Sequence, residues 1–328
     1  MSGRRLNVAA ALAGAVAVAA ISVTPLAGQA KSSIPRDPNG HPDLQGIWSY
    51  ATVTPLERPT TLAGKATFTS DEEIAEFEKT TVAARNQDRR DGAGTNADVS
   101  RAYNDFWWDR GTKVLGRQTS LVVDPAEGRV PELTDQAQKR QAERAEARRR
   151  ITTDADNPED RSLWERCVTR TMPILPGAYN NNIRIVQTKE YVMVLQEMIH
   201  EARVIPLDGR PHSKVPQWFG SSRGRWDGDT LVVETINFSD KMNFRGASQN
   251  LKLIERFSRG DGNTLTYRVT VEDPTTFTKP WTYQIAMQSS AEDIYEYACH
   301  EGNHGLEGIL KGSRLQDKLN TSSTRQQQ

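Results

Sequence analysis

Ser222-Arg-Gly-Arg-Trp-Asp-Gly-Asp-Thr-Leu-Val-Val-Glu-Thr-Ile-Asn-Phe238 reads as a β-hairpin, and the rest of the chain can be placed around it. Asp227-Gly228 is the dipeptide that a two-residue type I′ turn requires, because both central residues must accept positive φ. A turn closed there sets Trp226 against Asp229, Arg225 against Thr230, Gly224 against Leu231 and Arg223 against Val232. Side chains alternate along a strand, so Arg223, Arg225, Thr230, Val232 and Glu234 share one face. Trp226, Leu231 and Val233 share the other. One face is apolar beneath an aromatic ring; the other gathers guanidinium groups near a carboxylate.

Strand signals continue on both sides of the hairpin. Ile183 to Val186, Tyr191 to Gln196, Ala202 to Ile205, Leu251 to Ser258, Leu265 to Asp273, Trp281 to Gln288 and Ile294 to Cys299 alternate apolar and polar residues. The links between them are short and carry turn residues, so neighbours are antiparallel. The pattern predicts a mainly β protein, an antiparallel meander closing into a barrel or strongly curved sheet. Closure removes exposed edges. A two-sheet sandwich is the alternative.

Upstream, the residues are more mixed. Gly46 to Tyr50 predicts a short strand with Trp48 buried, and Thr119 to Asp124 predicts another. Ser70-Asp-Glu-Glu73 is a capping box opening a helix to about Gln87. Thr134 caps a second helix, Asp135 to about Arg150, which lacks an apolar stripe and is therefore a solvated helix. This partly helical N-terminal third is expected to pack on the sheet.

Met1 to Ala30 has a short basic start, an apolar run and the small residues Gly28 and Ala30 before a cleavage site, the pattern of a secretory signal peptide. The chain thus divides into a signal peptide over 1–30, a mixed helical and extended region over 31–160, an antiparallel β domain over 161–315 and a disordered tail over 316–328. The expected location is the periplasm or the exterior. With 42 basic and 42 acidic residues the formal net charge is zero, which offers no electrostatic footprint for nucleic acid. No later segment has the apolar length of a membrane span. Cys167 and Cys299 are the only cysteines, and in an oxidising compartment an even count predicts that they pair.

Pro42-Asp-Leu-Gln-Gly-Ile-Trp48, Glu165-Arg-Cys167, Asp208-Gly-Arg-Pro-His212, Gly224-Arg-Trp-Asp-Gly-Asp-Thr-Leu-Val-Val-Glu-Thr235 and Ala298-Cys-His-Glu-Gly-Asn303 together resemble a large group of exported bacterial proteins of unknown function. The resemblance spans nearly the whole mature chain and implies no activity. The meander also resembles a lipocalin or calycin barrel in architecture, which implies a ligand cavity but no reaction.

The residues that could carry chemistry fall into two sets. His200, Glu201, Glu234 and His300 are candidates for moving protons, with Arg203, Arg223 and Arg225 to hold an oxyanion and Trp226 and Trp281 to contact an apolar ligand. In an unbroken strand Glu201 and Arg203 share a face and His200 points oppositely. If that face meets Arg223, Arg225 and Glu234, a polar site forms; the bland alternative is an outer lattice of cross-strand ion pairs. The second set is His300-Glu-Gly-Asn-His304, which matches the zinc-protease spacing, but Gly302, Asn303 and Gly305 are poor helix formers and that chemistry needs a helix. No metal is therefore expected, and no cofactor motif is present. The function expected is binding of a small, partly apolar molecule in a barrel cavity, with proton transfer (isomerase, cyclase, lyase or hydrolase) if the charges converge inside. A non-catalytic barrel for a lipid or aromatic ligand and a zinc hydrolase are the alternatives.

Overall fold

A computed structural model describes residues 34–86, 92–96, 98, 108–150, 155–170, 172–242, 244–260 and 262–326. The proposed signal peptide lies outside the described residues. From Ile34 onward the chain forms one compact unit.

The strands are β1 (Gly46–Ser49), β2 (Val122–Asp124), β3 (Asn182–Gln187), β4 (Tyr191–Gln196), β5 (Ala202–Pro206), β6 (Ser221–Asp227), β7 (Thr230–Ile236), β8 (Lys252–Arg259), β9 (Thr264–Glu272) and β10 (Trp281–Ser290). They form a single antiparallel sheet in the order β5-β4-β3-β1-β10-β9-β8-β7-β6, with β2 joined to β10. Two meanders, β3 to β5 and β6 to β10, are therefore spliced by β1. Trp48 pairs with Ile183 on one side and Ser289 on the other. The N-terminal region thus contributes a central strand rather than a separate layer.

The sheet is strongly curved. Its two edge strands, β5 and β6, are not hydrogen-bonded to each other. They nevertheless lie side by side, because a Cβ on Gly224 of β6 would stand 2.9 Å from the Ile205 side chain of β5 and 2.6 Å from Leu207. A larger residue there would have to push the Ile205 and Leu207 side chains aside. The inward phase of each strand supplies the core: Trp48, Phe257, Tyr267, Trp281 and Tyr283 are each at most 1% exposed. Rings of Phe257 and Tyr267 lie 4.8 Å apart, and those of Trp281 and Tyr283 5.8 Å apart. These side chains fill the space enclosed by the curved sheet, and burying each contributes about 1.5–3 kcal/mol.

The hairpin register differs from the expected one. Trp226 pairs with Leu231, Arg225 with Val232 and Arg223 with Glu234. The turn is therefore Gly228-Asp229, with Gly228 at φ +56° while Asp229 is not left-handed. That is the glycine-first pattern of a type II′ turn, which competes with Asp-Gly type I′ for the same residues. The pairing has moved by two positions, an even number, so the division of side chains between faces survives. No atom lies within 4 Å of where a Gly228 Cβ would stand. Gly228→Val should thus lose about 1–2 kcal/mol from backbone strain alone, read as a lower urea midpoint with unchanged slope.

Among the described residues the sheet is flanked by the helices α1 (Asp71–Arg85), α2 (Asp135–Arg149) and α3 (Gly305–Gln326). The Ser70 hydroxyl accepts from the Glu73 N–H at 3.2 Å and opens α1, as expected. Phe77 packs on Phe68, and the buried Glu78 accepts from the Val114 N–H at 2.9 Å, which ties α1 to a small second core. Helix α2 buries only Ala137. Two expectations fail at the C-terminal end. Ile294 to Cys299 is not a strand; Tyr295 is 75% exposed and no neighbouring strand offers a ladder. The segment expected as a tail is largely α3, whose Leu306, Ile309, Leu310 and Ser313 turn inward at helical spacing. The Ser313 hydroxyl accepts from the Ala155 N–H at 3.2 Å. No described helix is long and apolar enough to cross a membrane.

Cys167 and Cys299 form a disulfide with Cα atoms 5.9 Å apart. It joins the segment ahead of β3 to the segment after β10. Cys167 closes a turn, its N–H bonding the Trp164 carbonyl at 2.9 Å.

Candidate functional site

The curvature of the sheet sorts the candidate residues into an inner and an outer group. The 3-10 turn Met198–His200 carries Ile199 and His200 at φ +60° and +42°. This reversal sends His200 to the surface, where its Nδ1 lies 2.9 Å from the Tyr297 carbonyl, and turns Glu201 inward. Glu201 and Arg203 are 5% and 6% exposed. Arg203 reaches across the seam from β5 to Glu255 on β8, with Nη1 2.5 Å from Oε2 and Nη2 2.8 Å from Oε1. The Tyr267 hydroxyl donates to Glu255 at 2.7 Å and the Thr235 hydroxyl at 3.3 Å. Glu255 is fully buried, and its phase between Leu253 and Phe257 is what aims it inward.

The outer group is a different structure. Arg223 donates to the carbonyls of Arg210 and Pro211, Arg225 is exposed, and Glu234 takes Lys252 at 2.8 Å and His212 at 3.3 Å. The Lys252 hydrogen bond holds the Glu234 carboxyl below its ordinary value. Because Glu201 and the β5 residue Arg203 face inside while β6 and β7 present Arg223, Arg225 and Glu234 to the outside, the single polar site expected from sequence does not form. Trp226 stacks on His41 with ring centres 4.4 Å apart. Trp281 has no exposed surface and packs among Phe244, Phe277 and Tyr283, so it belongs to the core. His300 and His304 lie in the loop ahead of α3 and share no helical face. Among the described residues no group of three or more His, Cys, Asp or Glu side chains could hold a metal.

The residues that sequence reading missed are those beside Glu201. A cleft of about 660 Å³ opens along the segment from Glu159 to Met172. Its apolar wall includes Leu163, Trp164, Met172, Met242 and Phe244, and its rim carries Arg166, Arg170 and Lys241. Arg170 lies over Trp164 with its Cζ 4.6 Å from the ring centre, and its Nη1 is buried without a hydrogen bond among the described residues. Arg166 faces Glu159 at 3.7 Å. Thr169 lines this cleft and donates its hydroxyl to Glu201 Oε2 at 2.8 Å. The other oxygen, Oε1, is buried with no hydrogen bond among the described residues.

Electrostatics follow from that packing. Arg203 is bound to Glu255 through both of its terminal nitrogens, so Glu201 shares the cation at a distance. Burial pushes the Glu201 carboxyl from 4.5 up to about 7, and the Glu255 charge adds to this against Thr169 and Arg203. A carboxyl that is half protonated near neutrality can give or take a proton, the property of a general acid or base. The sign for stability follows from the same shift. Folding raises this affinity for the proton, so the contribution is complete below pH 4.5 and is lost as pH rises through about 7. Glu201→Gln removes the titration. Relative to that variant, the wild type should lose on the order of 3 kcal/mol between acidic and mildly alkaline pH. Urea unfolding of both proteins across this range checks it; a constant difference would mean an ordinary carboxyl.

Compared with family models, with characterised proteins and with solved structures, the chain matches none.

Proposed function

We propose that this is an exported protein, periplasmic or secreted, that binds a small amphipathic anion in the cleft beside Thr169, with Glu201 as the proton-handling group beneath it. The observation that carries the reading is one wall on which apolar side chains, cations and a hydroxyl bonded to a buried carboxyl coincide. The apolar surface suits a hydrocarbon or ring, and Arg170, stacked and with an unused N–H, suits an acidic head group. The disulfide and the signal-like leader support export. The Pro42–Trp48 and Gly224–Thr235 motifs support kinship with the exported bacterial group that they resemble, and the curved sheet supports a lipocalin-like use in which ligand sits against the sheet rather than within a hollow barrel.

Titration of Trp164 fluorescence with decanoate tests this, with decanol as the neutral control. Saturable decanoate binding, weakened tenfold or more by Arg170→Gln, is expected. Equal affinity for decanol, or binding indifferent to Arg170→Gln, would contradict it. A binding role without catalysis is the second reading, favoured because Thr169 stands between the carboxyl and the cleft. Proton uptake on binding that disappears in Glu201→Gln distinguishes a coupled carboxyl from a spectator.

A further inference from the structure

We propose that a cleft of about 480 Å³ beside the disulfide binds an organic cation, an alkyl or aryl ammonium whose apolar body lies on Tyr297, Leu306 and Ile309 and whose charge faces Glu296 and Glu301. This cleft shares the Trp164 ring with the Thr169 cleft but none of that cleft's arginines or lysines. It does not rest on the role given to Glu201.

The cross-link builds this cleft by bringing two distant segments together. Residues 164–165 supply one side and residues 296–303 the other, and the Cys167–Cys299 bridge joins them across 132 positions of sequence. The Trp164 indole N–H donates to the Tyr297 hydroxyl at 3.3 Å, which sets the two rings along one wall. Asn303 ties the start of α3 to the bridge. Its Nδ2 donates to the Cys299 carbonyl at 3.0 Å, and its Oδ1 accepts from the Gly305 N–H at 3.0 Å. Leu306 and Ile309 stand three apart on α3, so they share one helical face and line the cleft with apolar surface. Tyr297, Leu306 and Ile309 are only half-buried, which leaves that surface open to a ligand.

The charge on the lining decides the occupant. Glu165, Glu296 and Glu301 line the cleft, and no Lys, Arg or His is among the described residues that do so. Glu165 is already met by Arg161 and by the Ser162 N–H at 3.0 Å, so its charge is not on offer. Glu296 and Glu301 are exposed, and among the described residues neither is paired with a Lys, Arg or His side chain. Glu301 Oε2 accepts the His300 backbone N–H at 3.2 Å, a contact that leaves its charge in place. The N-terminus of α3 works against a cation, but a helix end carries only about half a charge. Asn303 caps it and Glu307 stands in its first turn. Tyr297 adds to the match, because an aromatic ring attracts an ammonium. A carboxylate ligand would meet like charge here, a neutral one would leave both glutamates unanswered, and a bare metal ion would leave the apolar wall uncovered.

Phenylbutyltrimethylammonium, with phenylbutanol as the neutral control, titrated by calorimetry into the full-length mature protein, provides the test. The expected result is ammonium binding that weakens with added salt, falls by about fivefold or more in Glu296→Gln/Glu301→Gln, and is kept in Arg170→Gln, which separates it from anion binding beside Thr169. Both glutamates are exposed, so the double variant should fold as the wild type does. Independently of any variant, the Ile309 methyl signal, identified by its loss in Ile309→Leu, should shift as the wild type is titrated. The proposal is overturned if the ammonium does not bind, if the alcohol binds equally well, or if the double glutamine variant binds as tightly as the wild type. An Ile309 signal that stays fixed during saturable binding also overturns it, as does binding of tetralysine in place of the ammonium.

Discussion

Arg203→Met is expected to destabilise the protein by about 3–5 kcal/mol, the largest effect of any single replacement considered. The methionine side chain fills much of the same space, so lost volume is not the cause. Its effect is to leave Glu255, fully buried, without its two-point cation. Tyr267 and Thr235 still donate to that carboxylate, but neutral donors do not replace a guanidinium charge. The ion pair also crosses the seam where β5 and β6 meet without ladder hydrogen bonds, so its loss frees that edge. Pairing Arg203→Met with Glu255→Leu should recover most of the loss, since removing both charges removes the unpaired one. Urea unfolding near neutral pH measures both proteins. A single-variant loss below about 1 kcal/mol would mean that the pair is solvated rather than buried.

Removing the disulfide comes next in size. Cys167 and Cys299 are separated by 132 residues, and closing a loop of that length lowers the entropy of the unfolded chain by the equivalent of about 5 kcal/mol. The Cys167→Ser/Cys299→Ser protein should therefore unfold at markedly lower urea concentration than the oxidised wild type. Reduction of the wild type should produce the same shift. The bridge also holds the Trp164 turn against the Tyr297 segment, with the indole N–H 3.3 Å from the tyrosine hydroxyl. The double variant should thus bind a cleft ligand more weakly even where it remains folded. An unchanged midpoint would place the cross-link in a region that is equally ordered without it.

The strands were legible because half-buried strands alternate, and the residues from Asn182 to Gln288 alternate with few exceptions. The position of β1 was not, since period alone says nothing about which strands become neighbours. A four-residue strand far upstream was able to splice two meanders unseen. The hairpin turn was misread because Asp-Gly and Gly-Asp overlap in Asp227-Gly228-Asp229, and each satisfies a different primed turn. The even shift kept the faces intact. Helix α3 was not read from the sequence, although Leu306, Ile309 and Leu310 stand at helical spacing. In the site, Glu201 and Arg203 do share a face as alternation predicts, but His200 points away because of the turn at Met198–His200 rather than through an unbroken strand. Glu255 carried the same signal, a carboxylate in phase with Leu253 and Phe257, and was passed over in favour of its apolar neighbours. Thr169 and Arg170 carry no sequence signal of their own. Only the curvature of the sheet brings their loop to Glu201.

The most direct test is a carbon-detected NMR titration of the glutamate carboxyl groups in wild type and Glu201→Gln. One resonance, absent from the variant, should titrate with a midpoint of about 7, well above the ordinary glutamate value of 4.5. It should also move when decanoate fills the cleft beside Thr169. A Glu201 resonance that titrates near 4.5 and ignores the ligand would contradict the account.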